Sequence, residues 1–571
     1  MPDTDSQKPS RRTFLVAGVA GGAAAAATTL PAVAFPTAVQ PDAVDNTEAR
    51  ITESTLAEAE KLASVEFTQK ERQQILTDIG DQIQRHLGRR SVEFPNTLAP
   101  STVFDPRVGD MTVSIVDRFV RSKPHSRPLP PNDESIAFEP VTALSTWIER
   151  GMLTSERLTR IYLQRLERIG PRLECTVTLL GRRAIAQARR ADAEIRDGGY
   201  RGPLHGIPWG AKDLFDTKGI KTTWGATPFT DRVPDRDATV VSRLDEAGAI
   251  LIAKLSLGAL AYGDIWYAGR TNNPWKLDQG SSGSSAGSCA ATAAGLTGFA
   301  LGTETLGSIV SPSMRCGTTG LRPTFGRVAR TGAMALCWSL DKVGPICRTV
   351  QDTALVLQAI NGADPGDPSS IDMPLEFDGD RAVRGLRVGY CPKWFENGSG
   401  TDLDRVALKA MRRTGVTLVE IELPDLPYGT LLTILLVEAA SAFEQLTLSD
   451  RDDELVWQET RAWPNTFRTT RFTPAIEYVQ AQRFRRLVCE MMTEQFDGLD
   501  AMIGPSYAGS MLLITNCTGH PSLTIRCGFT EDGTPSGITL WGGLFREGTL
   551  CSIGMALERE LGVWDRRPVL G

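Results

Sequence analysis

Two kinds of apolar pattern alternate along the chain from about residue 136 onward. Helical spacing of apolar residues runs from Thr142 to Ile169, where it predicts two helices separated at Gly151, and it returns from Ala184 to Ile195. Short continuous apolar runs, which are typical of buried strands, occupy Gly206–Ala211, Ala249–Ala253, Leu386–Tyr390 and Val416–Ile421. This alternation predicts an α/β protein with a mixed sheet in residues 136–571.

Residues 35–135 have a different pattern and are predicted to form an extension to this main body. Thr68 and Glu71 have the spacing of a helix capping box, and apolar residues follow on one helix face: Ile75, Leu76, Ile79, Ile83 and Leu87. We expect a small helical hairpin that packs on the main body. The seven prolines between residues 91 and 135 indicate an irregular linker.

The first 34 residues have the features of an export signal. Arg11 and Arg12 precede Phe14 and an alanine-rich apolar run, which ends in the small-x-small pattern Ala32-Val33-Ala34. These features predict a cleaved signal of the twin-arginine type and an exported, periplasmic protein. The alternative is an uncleaved membrane anchor, since the run is about long enough to span a bilayer. Its glycine, alanine and threonine content is only weakly hydrophobic, so we expect no stable membrane insertion after cleavage.

The composition narrows the remaining function classes. With 41% hydrophobic and 23% charged residues and a formal charge of −6, the chain has ordinary globular composition. It has no long basic run, so no nucleic-acid partner is expected. The four histidines and ten cysteines are scattered, with no C-x-x-C or H-E-x-x-H spacing, which argues against a metal site.

A first glycine- and serine-rich stretch covers residues 280–288. A flexible linker would have this composition, but the helical pattern of Cys289–Leu296 follows at once and argues against one. Gly283-x-Ser285-x-Gly287 also matches the nucleophile elbow of α/β-hydrolases, with His520 as the one histidine further along the chain. That motif needs a preceding strand, and residues 273–278 do not predict one.

Two further stretches bear on the chemistry. Residues 302–308 resemble a phosphate loop, but Ser308 occupies the position where such a loop needs lysine. Lys212 ends the apolar run that begins at Gly206. A lysine in this position is usually solvated, whereas a buried one would have a lowered pKa and could act as a base near neutral pH.

Together these stretches resemble the amidase signature family. The resemblance is carried by RGPLHGIPWGAKDLFDTKGIKTTWGA (residues 201–226), GSSAGSCAATAAGLTGFALGTETLGSIVSPSMRCGTTGLRPTFGRV (283–328), SLDKVGP (339–345) and NCTGHP (516–521). It extends from about residue 144 to 562, and it implies the amidase-signature fold, with the mixed central β-sheet covered by helices on both faces. Residues 440–500, which read mostly as helix, would form a variable cap.

The resemblance also implies a catalytic triad and a reaction. Ser308 falls on the nucleophile, Ser284 on the bridging serine that the family holds through a cis peptide bond, and Lys212 on the base. Neutral Lys212 would draw a proton through Ser284 while Ser308 attacks an amide carbonyl, giving a seryl acyl-enzyme. Backbone N–H groups of Thr305, Leu306, Gly307 and Ser308 would stabilise the oxyanion. The mechanism requires no cofactor and no metal.

Four positions depart from the usual family pattern. Leu306 stands in place of the first glycine before the nucleophile, Val310 in place of an arginine, Glu304 in place of an aspartate, and Arg322 in place of a lysine. We expect Leu306 to narrow the acyl side of the pocket or to alter the turn, and Val310 to remove a charge near the loop. Activity is still expected, because no triad residue is lost.

Other functions remain open besides hydrolysis of a small-molecule amide or ester. The family includes the A-type component of aminoacyl-tRNA amidotransferases, against which the signal-like N-terminus argues, and a non-catalytic binding protein is also conceivable. The sequence leaves the oligomeric state and the substrate open. A bulky apolar or aromatic amide is indicated if the aromatic residues near the motifs line the cleft: Trp209, Trp224, Trp266, Tyr267 and Trp541, with Trp457, Trp463 and Phe467 from the cap.

Overall fold

A computed structural model describes residues 51–108, 116–122, 127–396 and 401–570. The predicted signal over residues 1–34 lies outside the described residues. The described helices are α1 Glu53–Ala63, α2 Gln69–Arg90, α3 Asp133–Ala137, α4 Val141–Glu149, α5 Ser155–Leu173, α6 Gly181–Arg196, α7 Thr239–Glu246, α8 Ala286–Ala293, α9 Val310–Cys316, α10 Val350–Ile360, α11 Asp402–Arg413, α12 Leu432–Ala442, α13 Glu444–Leu448, α14 Trp463–Thr470, α15 Ala475–Gln495, α16 Met511–Thr518 and α17 Glu547–Leu561.

The described strands lie between and among these helices. They are β1 Arg118–Val120, β2 Thr176–Leu179, β3 Pro208–Lys212, β4 Ile250–Leu255, β5 Ile265–Trp266, β6 Gly269–Arg270, β7 Asn272–Asn273, β8 Lys276–Gly280, β9 Phe299–Glu304, β10 Thr319–Arg322, β11 Lys342–Cys347, β12 Glu376–Asp378, β13 Arg387–Tyr390, β14 Thr417–Glu420, β15 Ala501–Pro505, β16 Ser522–Phe529 and β17 Pro535–Gly542.

Eleven strands form one mixed sheet, which confirms the predicted α/β class. Their order is β14-β13-β15-β17-β16-β10-β11-β9-β3-β4-β2. Strand β3 pairs in parallel with both β4 and β9, whereas β9 pairs antiparallel with β11. The central strands β3, β4 and β9 are buried along their whole length, as expected for strands covered by helices on both faces.

Some of the helices begin at a residue whose side chain caps them. Thr154 caps α5 through its side chain, and Gly151 lies in the break between α4 and α5. In the extension, Thr68 and Glu71 form the reciprocal bonds of a capping box at the start of α2. No residue of α2 is fully buried, and Arg89 reaches Glu444 of α13 with an ion pair of 2.6 Å.

One expectation from the sequence is wrong. The pattern of residues 273–278 predicts no strand, yet β8 lies directly before the serine-rich stretch. It pairs only with the two-residue β7, outside the large sheet, so nothing requires the apolar alternation by which a buried strand is recognised. The linker also contains the short strand β1, which pairs with β12.

Candidate active site

Lys212 is the last residue of strand β3. It lies at the side of the sheet where the carboxyl ends of the parallel strands β4 and β9 also lie. Its side chain is fully buried. The Nζ atom donates to Ser284 Oγ at 2.8 Å, to Thr303 Oγ1 at 2.9 Å and to Ser285 Oγ at 3.1 Å. These contacts hold the lysine amine on the Ser284 hydroxyl, with Thr303 at the end of β9 as its second support.

The environment of Lys212 favours the neutral amine. Burial lowers its pKa to about 7, although the negative groups of Asp341 and Glu304 act in the opposite direction. Desolvation disfavours the ammonium form because the charge loses its contact with water. At neutral pH a large fraction of Lys212 can therefore accept a proton.

The two predicted serines come from adjoining segments. Ser284 is fully buried in the loop before α8, and the Gly283–Ser284 peptide bond is cis, as the family resemblance implies. Ser308 lies after β9, two residues before α9 begins at Val310. The backbone N–H of Ser285 donates to the carbonyl of Ser308 at 3.1 Å and so ties the two segments together.

The turn before Ser308 has free backbone donors. Within the described part of the chain, the N–H groups of Leu306, Gly307 and Ser308 have no hydrogen-bond acceptor. Gly307 has a φ of 85°, in the region that favours glycine, and a Cβ there would come within 3.3 Å of Leu512. Thr305 fixes the start of the turn, because its Oγ1 donates to Asp341 at 2.5 Å. The predicted oxyanion residues thus form a turn whose donors are available.

Two of the departures from the family pattern meet in the structure. Arg322 donates to Glu304 at 2.6 Å, and both side chains are fully buried. The second carboxylate oxygen of Glu304 accepts from the N–H groups of Ile309 and Val310 at 2.7 and 2.9 Å. Burial alone would raise the pKa of Glu304, but Arg322 and these bonds hold it at about 2. The charged pair therefore anchors the segment that follows Ser308.

The residues of the alternative nucleophile elbow are not brought together. Ser285 Oγ donates to the Thr303 carbonyl and accepts from the Thr303 N–H, both at 3.1 Å. His520 Nδ1 instead pairs with Thr518 Oγ1 at 2.8 Å, and its ring stacks on Phe496. Burial lowers the pKa of His520 to about 3. These contacts give Ser285 and His520 separate structural roles.

A cavity of about 150 Å³ lies beside Thr303, the neighbour of Lys212. Its buried floor includes Thr303, whose hydroxyl contacts Lys212, and Thr305. Apolar walls rise from this floor to an exposed rim, which is formed by Thr97, Arg236, Gly366 and Pro368. The lining of this cavity includes Thr303 and Thr305 but not Lys212, Ser284 or Ser308.

The aromatic residues expected to line a cleft do not line this cavity. Trp209 and Trp541 are core residues. Trp463 stacks on Phe467 and donates to the Leu260 carbonyl, next to Ala261 of the cavity wall. The aromatic residue that does line the cavity is Trp338, which sequence reasoning missed.

Sequence reasoning also missed the neighbours that hold the candidate residues. Thr303, Asp341 and Asn96 have no role that the sequence pattern alone predicts, although Thr303 and Asp341 lie inside segments that carry the family resemblance. A motif can mark such a position, but it does not say which side chain the residue contacts. That contact depends on how the strands pair, which the local sequence does not specify.

The described residues contain no group of three or more His, Cys, Asp or Glu side chains placed to hold a metal ion. Among the same residues, no helix is both long and apolar enough to cross a membrane.

The fold and this site define a class of amide-bond enzymes with a buried lysine beside paired serine loops. The amidase family model matches residues 157–551, so the chain belongs to the amidase family. It is 35% identical to the A-type component of the glutamyl-tRNA(Gln) amidotransferase of Roseiflexus sp. (strain RS-1) over 472 residues, which cover 74% of this chain and 96% of the relative. The corresponding component of the Myxococcus xanthus (strain DK1622) amidotransferase is 34% identical over 467 residues, covering 73% and 96%.

Solved structures of the same family superimpose on most of the chain. The peptide amidase from Stenotrophomonas maltophilia is 31% identical, with a TM-score of 0.66, covering 76% of this chain and 98% of that one. An amidase family protein from Bacillus anthracis str. Ames is 27% identical, with a TM-score of 0.66 and coverages of 76% and 93%.

Proposed function

We propose that this protein hydrolyses carbon–nitrogen amide bonds through a seryl acyl-enzyme, with Ser308 as nucleophile, Ser284 as proton relay and Lys212 as base. The observation that carries the proposal is the 2.8 Å contact between Lys212 Nζ and Ser284 Oγ, made by a buried lysine with a pKa of about 7. A serine hydroxyl becomes an effective nucleophile only when a neighbour takes its proton.

The first half of the proposed reaction activates Ser308 and forms the acyl-enzyme. Neutral Lys212 takes the Ser284 proton, Ser284 takes the Ser308 proton, and Ser308 Oγ forms a bond to the amide carbonyl carbon. The resulting oxyanion accepts hydrogen bonds from the free N–H groups of the 306–308 turn. Removal of one such donor typically costs about 3 kcal/mol of transition-state stabilisation.

The second half returns the proton and releases the acid. The carbon–nitrogen bond breaks as the lysine–serine pair delivers a proton to the departing amine. Water then gives a proton to the same pair and attacks the acyl carbonyl, and as the acyl–oxygen bond breaks the pair returns that proton to Ser308 Oγ. Throughout, the Thr303 hydroxyl, 2.9 Å from Lys212 Nζ, keeps the amine in place. The same steps would cleave a simple ester.

A role as the A-type component of an amidotransferase is the second candidate, since relatives of that name are 34–35% identical over most of their length. In that role the chain would release ammonia from an amide donor within a complex. Glutamine hydrolysis by the purified chain, together with co-purification of partner proteins from its own host, would favour the amidotransferase role over that of a free amidase.

The test is active-site labelling of the purified mature chain with a fluorophosphonate, with the labelled residue located by peptide mass spectrometry. We expect the label on Ser308 and loss of activity on a panel of amides and esters in Lys212→Ala and Ser284→Ala. The control is His520→Ala, with folding of every variant checked by circular dichroism. A label on Ser285 that depends on His520 would replace this mechanism with that of an α/β-hydrolase, and absence of any label would favour a non-catalytic binding protein.

We also propose export to the periplasm through the twin-arginine-type signal of residues 1–34, supported by the Arg11-Arg12 pair and the apolar run after it. Fusion of this segment to a reporter protein tests the proposal. We expect the reporter to reach the periplasm, and to remain in the cytoplasm when both arginines are replaced by lysine. Equal export by both fusions would overturn the twin-arginine assignment.

A further inference from the structure

Two polar connections join the segments that carry Ser284 and Ser308. The first is the backbone bond from the Ser285 N–H to the Ser308 carbonyl, at 3.1 Å. The second is made by side chains alone, because Ser282 Oγ and Ser311 Oγ lie 2.6 Å apart. Ser282 comes two residues before Ser284, and Ser311 lies in the first turn of α9, three residues after Ser308. The side-chain connection therefore spans the same two segments as the backbone bond.

A third hydroxyl, from a distant part of the chain, extends this connection to the surface. Tyr507 lies in the loop after β15, and its hydroxyl donates to Ser311 Oγ at 2.5 Å. The residue is 52% exposed, so its ring lies at the surface while its hydroxyl points inward. Partial burial raises the pKa of Tyr507, so the phenol stays protonated and can donate at neutral pH. Tyr507, Ser311 and Ser282 together form what we call the hydroxyl chain.

The inner end of the hydroxyl chain is held in an unusual conformation. Ser282 has a φ of 61°, in the left-handed region that favours glycine. A serine keeps such a conformation only where its surroundings impose it. Here the Ser282 N–H donates to Asp264 Oδ2 at 2.9 Å, and the Ser282 hydroxyl is held by Ser311. Loss of the Ser311 contact would therefore release the backbone that leads directly into Ser284.

The residue beside Ser311 provides no substitute for this link. The family usually has an arginine at position 310, whereas Val310 is apolar and fully buried. The N–H of Val310 donates to Glu304, which fixes the backbone after Ser308 to the end of β9. The side-chain link from this segment to the loop of Ser284 is made by Ser311.

We propose that Tyr507 is a positioning residue for the amide hydrolysis: through Ser311 and Ser282 it holds Ser284 at the distance from Ser308 that proton transfer requires. This inference rests on the proposed function. A proton relay between hydroxyls needs hydrogen-bonding distance, and a misplacement of about 1 Å can lower a rate by roughly 100-fold. Tyr507 acts only through its serine neighbours and takes no part in the proton transfer itself.

The rate at which a fluorophosphonate labels Ser308 in the purified protein tests this proposal without knowledge of the substrate. The maximal rate constant of labelling, kinact, reports on the nucleophile, and the half-saturating concentration, KI, reports on binding of the reagent. In Tyr507→Phe, which removes only a hydroxyl, we expect kinact to fall roughly 10-fold with KI unchanged. Ser311→Ala should lose as much, and Ser311→Thr, which keeps a hydroxyl, should retain most of the original rate.

Two further measurements distinguish positioning from a general disturbance of the site. If the hydroxyls act as one chain, Tyr507→Phe combined with Ser311→Ala should label no more slowly than Ser311→Ala alone. The pH dependence of kinact should keep its midpoint near pH 7, because these variants remove no hydrogen bond of Lys212. A site that opens to water would instead move the midpoint upward, toward the ordinary pKa of lysine.

The matched control is Tyr390→Phe, which removes a phenol hydroxyl that donates to Glu420 at 2.9 Å, between β13 and β14. It should leave kinact unchanged. The role of Tyr507 is overturned by an unchanged kinact in Tyr507→Phe, an equal loss in the control, a change in KI alone, additive losses in the double variant or an upward shift of the midpoint. In each of these cases labelled Ser308 leaves the proposed function standing. Absence of label on Ser308 in the unsubstituted protein overturns the proposed function, and this inference with it.

Discussion

At the scale of single residues, the buried lysines Lys212 and Lys342 make the pH dependence of activity informative. Lys212 must be neutral to take a proton, and its pKa is about 7. With an uncharged amide substrate, kcat/KM should therefore rise with pH, reach half its maximum near pH 7 and level off above about pH 8. The measurement is a pH–rate profile between pH 5 and 9.

Lys342 provides the control for this profile, because burial and the nearby Arg322 lower its pKa to about 7 as well. If Lys212 is the base, Lys342→Met should keep the midpoint near pH 7, even if KM changes. Disappearance of the midpoint in Lys342→Met would show that the titration belongs to Lys342 instead.

The buried Glu304–Arg322 pair leads to a prediction on stability. Replacement of Arg322 by Met would leave the Glu304 carboxylate buried without its cation, at a cost of about 3–5 kcal/mol in the free energy of unfolding. Urea denaturation of Arg322→Met, Glu304→Gln and the double variant measures this cost. We expect the double variant to be more stable than Arg322→Met alone. If the loss of stability in the double variant equals the sum of the two single losses, the two charges are not coupled.

Sequence reasoning succeeded at this scale only where a long motif fixed the register. It selected Lys212 and Ser284, which the structure places in direct contact. It also noted Glu304 and Arg322 as separate departures, but not that they form an ion pair from β9 and β10, the two strands on either side of β11. The family usually has the shorter aspartate and lysine at these two positions. The contact between Glu304 and Arg322 becomes visible only when the strands are in place.

At the scale of elements, a single asparagine fastens the extension to the cavity wall. Asn96 Nδ2 donates to the carbonyls of Ala335 and Ala442 at 2.9 and 3.2 Å, and Asn96 Oδ1 accepts from the Ala335 N–H at 2.8 Å. Ala335 lines the cavity and Ala442 ends α12. The side chain therefore joins three segments that are far apart in sequence.

Asn96→Ala should loosen this junction. Loss of the three bonds should cost about 1–3 kcal/mol of stability, and residues 91–108 should become more sensitive to limited proteolysis. We expect KM to rise several-fold with little change in kcat, because Thr97 and Ala99 line the cavity. Asn465→Ala, which removes one exposed bond to the Thr460 carbonyl, is the control. Unchanged proteolysis and KM would exclude such a role for Asn96.

Elements whose ends are marked by local residues could be predicted from the sequence. Thr154 and Gly151 marked the break between α4 and α5, and the apolar runs marked β3 and β4. Helix α8 begins at Ala286, three residues before the predicted start, inside the serine-rich stretch. The order of the eleven strands was beyond reach, because neighbours such as β10 and β16 are about 200 residues apart and local sequence does not specify their pairing.

At the scale of the whole molecule, the ten cysteines describe how the chain is stabilised. All ten lie in described segments, all are buried, and none forms a disulfide bond. Burial raises the pKa of several of their thiols, to about 12 for Cys289 and Cys551 and to about 11 for Cys175. They therefore act as small apolar core residues and leave stability to the sheet and its helices.

A thiol titration checks this account against the disulfide-rich pattern of many exported proteins. The thiolate is the reactive form, and burial here limits both its formation and its access to reagent. The native protein should react with Ellman's reagent slowly or not at all, whereas protein unfolded in guanidinium without reductant should release all ten thiols. A reductant should leave the melting temperature unchanged. Fewer than ten thiols in the unfolded protein would show that the protein contains disulfides and that its core is assembled differently.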